Sequence, residues 1–442
     1  MCEGALPVGL FFDQEIQPRK APWLKGLFKR LLNVKGMVVE DVSIDDSPLR
    51  PAPVLVVRVR RRRGALRCSR CGRKCPKHDD GGGERRWRHQ DFGCYGVELM
   101  GLAPRVACAE HGGGAVAQVP WAEPGTRFTR DFEMERAWLT AVASRKTVGG
   151  FLRIAWRTAG DIARRVAARL GSSMPCMFDG PTAIGVDETS YRKGRTYITV
   201  VVDHKRKRVV WAHDGYGKEV LDLFFRQLTD EQRASIKAVT GDGAKWIDAS
   251  VKEHLPNAER VLDSFHIVSW MTDTLDQVRK RLWNQARLGN DKTATETMKG
   301  LKYAVLKNPG DLTERQSGAL ETLRDTDPRG QLYRSWQLRE LLRTLPHQPV
   351  GQAEAELKRW IFRASHSRIP EAVELCRKIR RRRDDILGTI GPGYSNARLE
   401  AFNNKIKATI RMAYGFRHAD NLIAMIKLRC SGLPTHLPTP IL

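Results

Sequence analysis

The feature that most constrains the fold is a change of hydrophobic period near residue 182. Three β-rich runs follow one another there, "AIGVDE", "TYITVVVD" and "RVVWAHD", separated by short polar turns such as "HKRK". A helical run "KEVLDLFFRQL", a strand "SIKAVTGD", a helix over 244–254 and a strand "ERVLD" come next. The order βββαβαβα is that of a ribonuclease-H-like α/β core.

Two aspartates in this segment are candidate metal ligands. In the predicted topology Asp187 ends the first strand and Asp242 the fourth, and because those strands lie side by side we expect the two carboxylates to converge. Gathered carboxylates repel each other unless divalent cations neutralise them. Paired Mg²⁺ ions in such a site would activate an attacking oxygen and stabilise the leaving oxygen in phosphodiester cleavage. Either aspartate alone would be an ordinary turn residue.

A third carboxylate is expected on a helix near the C-terminal end. The stretch "SNARLEAFNNKIKATIRM" has an apolar stripe at helical spacing, formed by Leu399, Phe402, Ile406 and Ile410. Glu400 lies beside that stripe and is the predicted third ligand, although without the two aspartates it would be interpreted as a surface glutamate. Lys407 and Arg411, on the polar face of the same helix, are predicted DNA contacts.

The charge of the chain indicates the class of partner. Its 442 residues include 76 Lys+Arg against 50 Asp+Glu, a net charge of +26 that is spread along the chain. Such a surface attracts a polyanion, and nucleic acid is the first candidate. No apolar run approaches the roughly 18 residues of a spanning helix, and "MCEGALPVGLFFDQEI" lacks the pattern of a signal peptide. We therefore expect a cytoplasmic, nucleoid-associated protein that does not bind membranes.

Paired cysteines predict a structural zinc site. Cys68-x-x-Cys71 and Cys108-x-x-His111 can close a tetrahedral site, since each knuckle presents two donors on one side of a turn. Cys75 and Cys94 fall outside the paired spacing and are predicted to be spectators. The alternative is a set of free buried thiols, but nine cysteines in a reducing compartment favour metal binding over disulfides.

Residues 127–170 read as three short helices, the last of them basic. This pattern is typical of a helix-turn-helix, whose last helix would enter the major groove with Arg164, Arg165 and Arg169 nearby. An ordinary helical linker is the open alternative. Upstream, "WLKGLFKRLL" predicts an amphipathic helix and "PVLVVRVRRRR" a strand that runs into a basic block, neither with an assigned chemistry.

These stretches resemble the bacterial insertion-sequence transposases of the ISL3 group, of the DDE class. The resemblance covers nearly the whole chain, from the zinc ribbon and "WRHQD" through the helix-turn-helix and "GVDET". It is most specific in "GDGAKWIDASVKEHLPNAERVLDSFHIV", "LKNPGDLTERQ" and "SNARLEAFNNKIK". It implies an enzyme that recognises the terminal inverted repeats of its own element and catalyses strand cleavage and strand transfer, with water and then a DNA 3′-hydroxyl as nucleophiles.

The resemblance also assigns roles by position. Asp187, Asp242 and Glu400 match the family's metal-binding triad. Asp263-x-x-His266 looks like a motif that related transposases place after the second aspartate, which implies support of the active site, and Asp263 remains a rival to Asp242 as second ligand. One departure is the second zinc pair, which is Cys-x-x-His where cysteines would be usual.

The segment between Asp242 and Glu400 is far longer than the core needs. Residues 272–383 contain several runs of helical period and are predicted to form a helical insertion domain. Its Trp283, Trp336 and Trp360 suit DNA contact or, as the more ordinary alternative, the core of a helical bundle. The predicted division is an N-terminal element (1–62), a zinc ribbon (63–115), a helix-turn-helix (126–172), a catalytic domain (178–271 and 384–430) and the insertion (272–383).

The sequence thus predicts a multidomain DDE transposase with structural Zn²⁺ and catalytic Mg²⁺ or Mn²⁺. Its expected partners are double-stranded DNA, as terminal repeats and as target, and further copies of itself when assembled on DNA. A non-catalytic DNA-binding regulator derived from a transposase is the main rival, and a structure-specific nuclease is the other. All three acidic positions are occupied, which argues against the first, and two DNA-binding modules argue against the second.

Overall fold

The computed structural model describes seven stretches of the chain, residues 22–32, 34–48, 50–194, 196–262, 264–326, 329–390 and 397–437. They form two compact units. The first contains the described residues up to Val166 and a short segment from Thr435, and the second runs from Ala167 to Pro434. No helix among the described residues has both the length and the apolar character needed to cross a membrane.

The first unit begins as a β-rich region and ends in helices. Its elements in chain order are α1 (Pro22–Leu32), β1 (Met37–Asp45), β2 (Val54–Arg61), β3 (Leu66–Arg67), β4 (Lys74–Cys75), β5 (Lys77–Asp79), β6 (Glu84–Phe92), β7 (Tyr95–Leu102), β8 (Arg105–Cys108), β9 (Gly112–Val116), α2 (Arg130–Val142), α3 (Arg145–Leu152) and α4 (Trp156–Ser173). The helix α4 continues past the boundary between the units.

A four-stranded sheet with the order β1-β2-β7-β6 forms the core of this region. The amphipathic helix predicted from "WLKGLFKRLL" is confirmed as α1, which buries Phe28 and Leu32 in a cluster with Val57 and Leu99 of the sheet. Because β6 and β7 belong to the same sheet as β1 and β2, the sheet spans the predicted boundary at residue 62. Two small sheets, β3-β4 and β5-β8-β9, carry the cysteine knuckles.

Three helices follow, as the sequence predicts for residues 127–170. Thr129 caps α2 by accepting a hydrogen bond from the backbone N–H of Phe132, and Ser144 caps α3 by accepting one from Thr147. Such caps satisfy backbone donors that a helix start leaves unpaired. The third helix is the longest, with 18 residues in α4.

The second unit opens with a five-stranded mixed sheet. Its elements are β10 (Ala183–Arg192), β11 (Thr196–Asp203), β12 (Arg208–Asp214), α5 (Lys218–Gln227), α6 (Asp230–Ser235), β13 (Ala238–Gly241), α7 (Lys245–His254) and β14 (Glu259–Leu262). The sheet order is β12-β11-β10-β13-β14. The first three strands pair antiparallel, whereas β13 and β14 run parallel to β10.

Burial explains why these strands read as nearly continuous apolar runs. All four residues of β13 are buried, and Ile184, Val201 and Val239 pack in one cluster with Phe225 of α5 and Ile247 of α7. A sheet covered on its face by helices needs apolar residues along most of each strand. The predicted order of elements is confirmed, with α6 as an addition whose start has a capping box between Thr229 and Gln232.

The rest of the second unit is helical. Its helices are α8 (Ser264–Leu288), α9 (Lys292–Gly300), α10 (Lys302–Leu306), α11 (Glu314–Thr326), α12 (Gln331–Thr344), α13 (Val350–Ser365), α14 (Pro370–Arg381), α15 (Arg383–Ile390), α16 (Ala397–Met412) and α17 (Ala419–Cys430), with short 3₁₀ turns at Pro309–Asp311 and Leu345–His347. The predicted helical character of residues 272–383 is confirmed. Trp360 is buried to 1% exposure and its indole N–H donates to the Leu338 carbonyl at 2.8 Å, so it is a core residue.

Candidate functional site

Asp187 lies in the middle of β10, so the expectation that it ends its strand is wrong. The reason is that β10 has two neighbours of different length. Its antiparallel pairing with β11 continues to Arg192, whereas its parallel pairing with β13 has Gly185 and Thr240 as the last pair. Asp187 is half-buried just beyond the point where the parallel neighbour ends.

Asp242 directly follows β13, as predicted. Asp187 and Asp242 each stand two positions beyond the Gly185–Thr240 pair, so they occupy the same level on adjacent parallel strands. Neighbouring strands lie about 4.8 Å apart, and the predicted adjacency of the two strands is confirmed. Asp242 begins a tight turn in which its Oδ1 accepts a hydrogen bond of 3.0 Å from the backbone N–H of Ala244.

The helix α16 packs against β10 through Asn403, a residue that sequence reasoning missed. The Asn403 side chain is 8% exposed, and its amide donates to Oδ2 of Asp187. Its carbonyl oxygen accepts a hydrogen bond of 3.3 Å from the Thr189 hydroxyl. The only sequence signal is a polar residue next to Phe402 of the predicted apolar stripe.

Glu400 belongs to α16, but its side chain lies outside the described residues. Positions three apart on a helix lie on the same side of it, so position 400 is on the side of α16 that carries Asn403. Asp263 also falls outside the described residues, just after β14, which is the outer neighbour of β13. His266 is half-buried in the first turn of α8.

Glu188 is a second acidic residue near Asp242 that the sequence analysis did not single out. Burial raises the pKa of the Glu188 carboxyl, and the negative charge of Asp242 raises it further, against a lowering by the Gly217 backbone N–H. That N–H donates to Glu188 Oε1 at 3.2 Å. The carboxyl groups of Glu188 and Asp242 are therefore close enough to interact electrostatically.

Two arginines hold the turn after β13 through its backbone carbonyls. Arg260 donates to the Asp242 carbonyl and, at 3.1 Å, to Asp248. Arg382, which directly follows α14, donates to the Gly243 carbonyl at 2.9 Å and lies 2.5 Å from the other oxygen of Asp248. Asp248 thus bridges the two guanidinium groups, and the turn is fixed from both sides.

Trp270 closes the same turn by packing on Gly243. A Cβ at position 243 would lie 2.6 Å from Cζ2 of the indole, a distance that real Cβ contacts do not reach, so the close approach requires glycine. The ammonium group of Lys378 lies 3.4 Å from the centre of the Trp270 ring on α8. Burial lowers the pKa of Lys378, and the charge of Asp242 partly offsets that effect.

The cysteine knuckles converge as predicted. Among the described residues, one donor atom each of Cys68, Cys71, Cys108 and His111 lies within 4.8 Å of all the others. The Sγ atoms of Cys71 and Cys108 are 3.6 Å apart, and His111 Nδ1 is 3.6 Å from Cys108 and 3.8 Å from Cys68. Ligands about 2.3 Å from a tetrahedral zinc ion have separations of this size. A hydrogen bond with His111 lowers the pKa of the Cys108 thiol to about 6.

The chemistry of the four donors suits a zinc ion. Thiolates and a neutral imidazole are the ligands that zinc prefers, and a lowered thiol pKa favours the thiolate. Cys75 is half-buried nearby and lies outside this cluster of four. Cys94 is exposed.

The predicted DNA-contacting arginines differ in their surroundings. Arg164 is exposed and lies 2.5 Å from Asp161 on α4. Arg165 reaches back to α2, where it lies 2.6 Å from the fully buried carboxylate of Glu133. This ion pair helps to join α4 to α2, a role that the sequence did not predict. Arg169 is half-buried further along α4, and Lys407 and Arg411 are exposed on α16.

Comparisons with known proteins match this chain to transposases. Residues 184–426 match a family model described as a transposase, residues 117–167 the helix-turn-helix domain of transposase family ISL3, and residues 65–111 the zinc-finger of the transposases IS204, IS1001, IS1096 and IS1165. The transposase for insertion sequence element IS1557 from two strains of Mycobacterium tuberculosis is 40% identical over 434 residues, which is 93% of this chain and 96% of that protein. The transposase for IS1001 from Bordetella parapertussis is 27% identical over 411 residues, covering 92% and 98%.

Proposed function

This chain belongs to the ISL3 family of transposases, and we propose that it cuts DNA strands at the ends of its own insertion sequence and joins them to a target. The observation that carries this proposal is the parallel register of β10 and β13, which brings Asp187 and Asp242 to the same level. Two carboxylates on adjacent strands, beside a helix with a third, form the donor set that metal-dependent phosphoryl transfer requires.

The five-stranded sheet supports a ribonuclease-H-like catalytic core. Three antiparallel strands followed by two strands parallel to the first, in the order β12-β11-β10-β13-β14, agree with the order of elements expected for that core. In such a sheet the carboxylates of the first and fourth strands share one edge. Many helices are inserted between β14 and α16. Even so, α16 contacts β10, because the Asn403 side chain donates a hydrogen bond to Asp187, so the insertion does not separate α16 from the two carboxylates.

Asp187, Asp242 and Glu400 would hold Mg²⁺ or Mn²⁺. These hard cations take oxygen ligands, and Glu188, whose pKa is raised by burial and further by the charge of Asp242, provides another carboxyl group beside Asp242. When bound, the metal would activate the attacking oxygen and stabilise the leaving oxygen. Each carboxylate oxygen has more than one lone pair, so the hydrogen bonds to Asp187 leave it able to bind metal.

The chain's own residues would orient the site. Asn403 and the backbone N–H of Glu188 engage different oxygens of Asp187 and so fix the plane of its carboxylate. Asp263 and His266 would support the active site from the start of α8. No protein side chain serves as nucleophile in this scheme, since water and then a DNA 3′-hydroxyl attack phosphorus.

DNA recognition would come from the first unit. The zinc cluster would hold Zn²⁺ with Cys68, Cys71, Cys108 and His111, and the metal would stabilise the ribbon rather than take part in catalysis. The helix α4 would lie in the major groove of the terminal inverted repeats, with the exposed Arg164 as one of its contacts. Because Glu133 already engages Arg165, that arginine would contact phosphate rather than a base edge.

Lys407 and Arg411 would contact the scissile strand, and the active assembly would contain several copies of the chain.

Strand cleavage of a duplex that carries the element's terminal repeat tests this proposal. Asp187→Ala and Glu400→Ala should each reduce Mg²⁺-dependent cleavage to background and leave repeat binding nearly unchanged, because recognition lies elsewhere. Asp230→Ala is the matched control, since that carboxylate is 96% exposed at the start of α6. Wild-type cleavage rates in either active-site variant would contradict the assignment, and repeat binding without any wild-type cleavage would favour the regulator.

A metal-bound crystal structure would show whether Asp242 or Asp263 is the second ligand. In a crystal structure with Mn²⁺, an oxygen of Asp242 should lie about 2.0–2.2 Å from an ion shared with Asp187. Asp263 in that position instead would show that the second ligand follows β14 rather than β13.

A further inference from the structure

The first unit contains a basic cleft that the zinc and helix-turn-helix modules do not include. The cleft has a volume of about 540 Å³ and lies between α1, the turn before β1 and the end of β2. Lys25 and Lys29 of α1, Lys35 of the turn and Arg62 after β2 line it, together with apolar and glycine residues. None of the described residues that line it is acidic, so four cations face one open space.

The charges in this cleft are not neutralised by the described part of the chain. Within the described ranges, neither an ion pair nor a side-chain hydrogen bond engages the four cations. Arginines close by in the sequence differ, since Arg58 lies 3.0 Å from Glu84 and Arg60 lies 2.8 Å from Glu40. Four like charges around one cleft repel one another, and an anion that entered would remove this repulsion.

Gly26 leaves the backbone of α1 uncovered beside these lysines. Glycine in the interior of a helix lowers its stability, and it persists where packing or close backbone approach requires it. Among the described residues, packing does not require it, because a Cβ at position 26 would meet none of their atoms within 4 Å. The helix backbone beside the two lysines is therefore open to an approaching group.

We propose that this cleft binds the sugar-phosphate backbone of duplex DNA, next to the DNA held by the zinc ribbon and α4. The inference rests on the proposed function and adds a further contact region to it. The ligand class follows from the lining: several cations without base-reading amide side chains suit phosphodiesters, and the contact would be independent of sequence.

The layout of α1 argues against an anionic membrane as the ligand. Trp23, Leu27 and Leu31 form an exposed apolar stripe, which resembles a membrane-binding face. At 100° per residue, however, that stripe and the two lysines lie on opposite sides of the buried stripe of Phe28 and Leu32. A flat lipid surface cannot contact both, whereas a DNA strand can enter the cleft alone.

The salt dependence of DNA binding by the full chain tests the proposal. In the triple variant Lys29→Gln/Lys35→Gln/Arg62→Gln, the slope of log K against log salt concentration should become shallower by about 2 to 3, since each lost phosphate contact removes about 0.9. The loss should be equal on a duplex with the terminal repeat and on an unrelated duplex. The matched control is Arg58→Gln/Arg60→Gln/Lys77→Gln, which removes the same charge from cations already paired with carboxylates.

Each outcome decides between the alternatives. An unchanged slope, or the same change in the control, would overturn the cleft as a DNA site, and unaltered wild-type strand cleavage measured in parallel would show that the proposed function survives. Loss of binding to phosphatidylserine vesicles, with DNA binding intact, would also overturn it in favour of a membrane. Thermal melting of both triple variants should match the wild type.

Discussion

The zinc cluster and the carboxylate site are both candidate metal sites, and they are assembled in different ways. The four zinc donors come from two short knuckles within residues 68–111, held by small sheets next to them. The carboxylate site joins β10, the end of β13 and α16, so its parts are more than two hundred positions apart, as the hydrogen bond between Asp187 and Asn403 illustrates. The first needs only local turns, whereas the second needs a complete sheet in correct register.

This difference predicts how each site responds to damage. The region around the candidate zinc site has a small buried cluster, which includes Cys68, Val106 and Ala115. Binding of zinc by the cysteine knuckles would therefore supply much of the stability of this region. The carboxylates rest on a sheet with a large apolar core, which persists without them. Loss of ligands should therefore unfold the first site and merely inactivate the second.

The largest effect is expected in the double variant Cys68→Ser/Cys108→Ser. It should lose about one equivalent of zinc and unfold locally, because structural zinc supplies about 10–16 kcal/mol of apparent binding free energy in small zinc domains. Metal analysis and limited proteolysis within residues 65–111 measure both changes. Cys75→Ser is the matched control and should keep its zinc. Full zinc content in the double variant would reveal another ligand set that includes Cys75.

Several features of the two sites could be predicted from the sequence because they are local. Cysteine spacing indicates the zinc donors, and alternation between strand and helix periods indicates the sheet and thus the adjacency of the strands before Asp187 and Asp242. The position of Asp187 within its strand could not be predicted, because β11 extends the pairing of β10 to Arg192. Strand length here depends on a neighbour rather than on the strand's own residues.

The contacts that support these sites could not be predicted from the sequence either, because they also join segments that are distant in the chain. In the sequence, Asn403 is one of two adjacent asparagines, and Glu133 resembles a surface residue. In the structure, Asn403 hydrogen-bonds to Asp187 of β10, and Glu133 pairs with Arg165 of α4. Likewise, β6 and β7 join the sheet of β1 and β2 across the predicted domain boundary at residue 62. Contacts between distant segments leave no periodic signal in either segment.

A smaller effect is expected from Asn403→Ala, which tests whether the carboxylate site depends on its distant support. Removing the amide that donates to Asp187 should lower the cleavage rate roughly 10- to 100-fold, the usual cost of losing a partner that orients a metal ligand. Asn404→Ala, on the exposed side of α16, should behave as wild type. A higher Mn²⁺ concentration at half-maximal cleavage, with normal repeat binding and normal melting, would separate orientation from general damage. If Asn403→Ala and Asn404→Ala cleave DNA at equal rates, the Asn403 amide does not orient Asp187.

The smallest effect is expected from Arg382→Gln, which links the helical insertion to the carboxylate site. Arg382 follows α14 and donates to the Gly243 carbonyl at 2.9 Å, so the position of the insertion is transmitted to the turn that carries Asp242. Arg260 still holds the Asp242 carbonyl and pairs with Asp248 at 3.1 Å in this variant, so the turn should loosen rather than collapse.

We therefore expect Arg382→Gln to raise the Mn²⁺ concentration at half-maximal cleavage by roughly several-fold, which is less than the 10- to 100-fold typical of lost supporting contacts. Repeat binding should not change, because the first unit is untouched. Arg383→Gln is the matched control, since that neighbouring guanidinium pairs with Glu354 and, among the described residues, forms no hydrogen bond with the turn. If the two variants require the same metal concentration, the insertion does not position Asp242, and the carboxylate site depends on its own sheet alone. If Arg382→Gln instead abolishes metal binding, the site depends on the insertion as strongly as the zinc cluster depends on its knuckles.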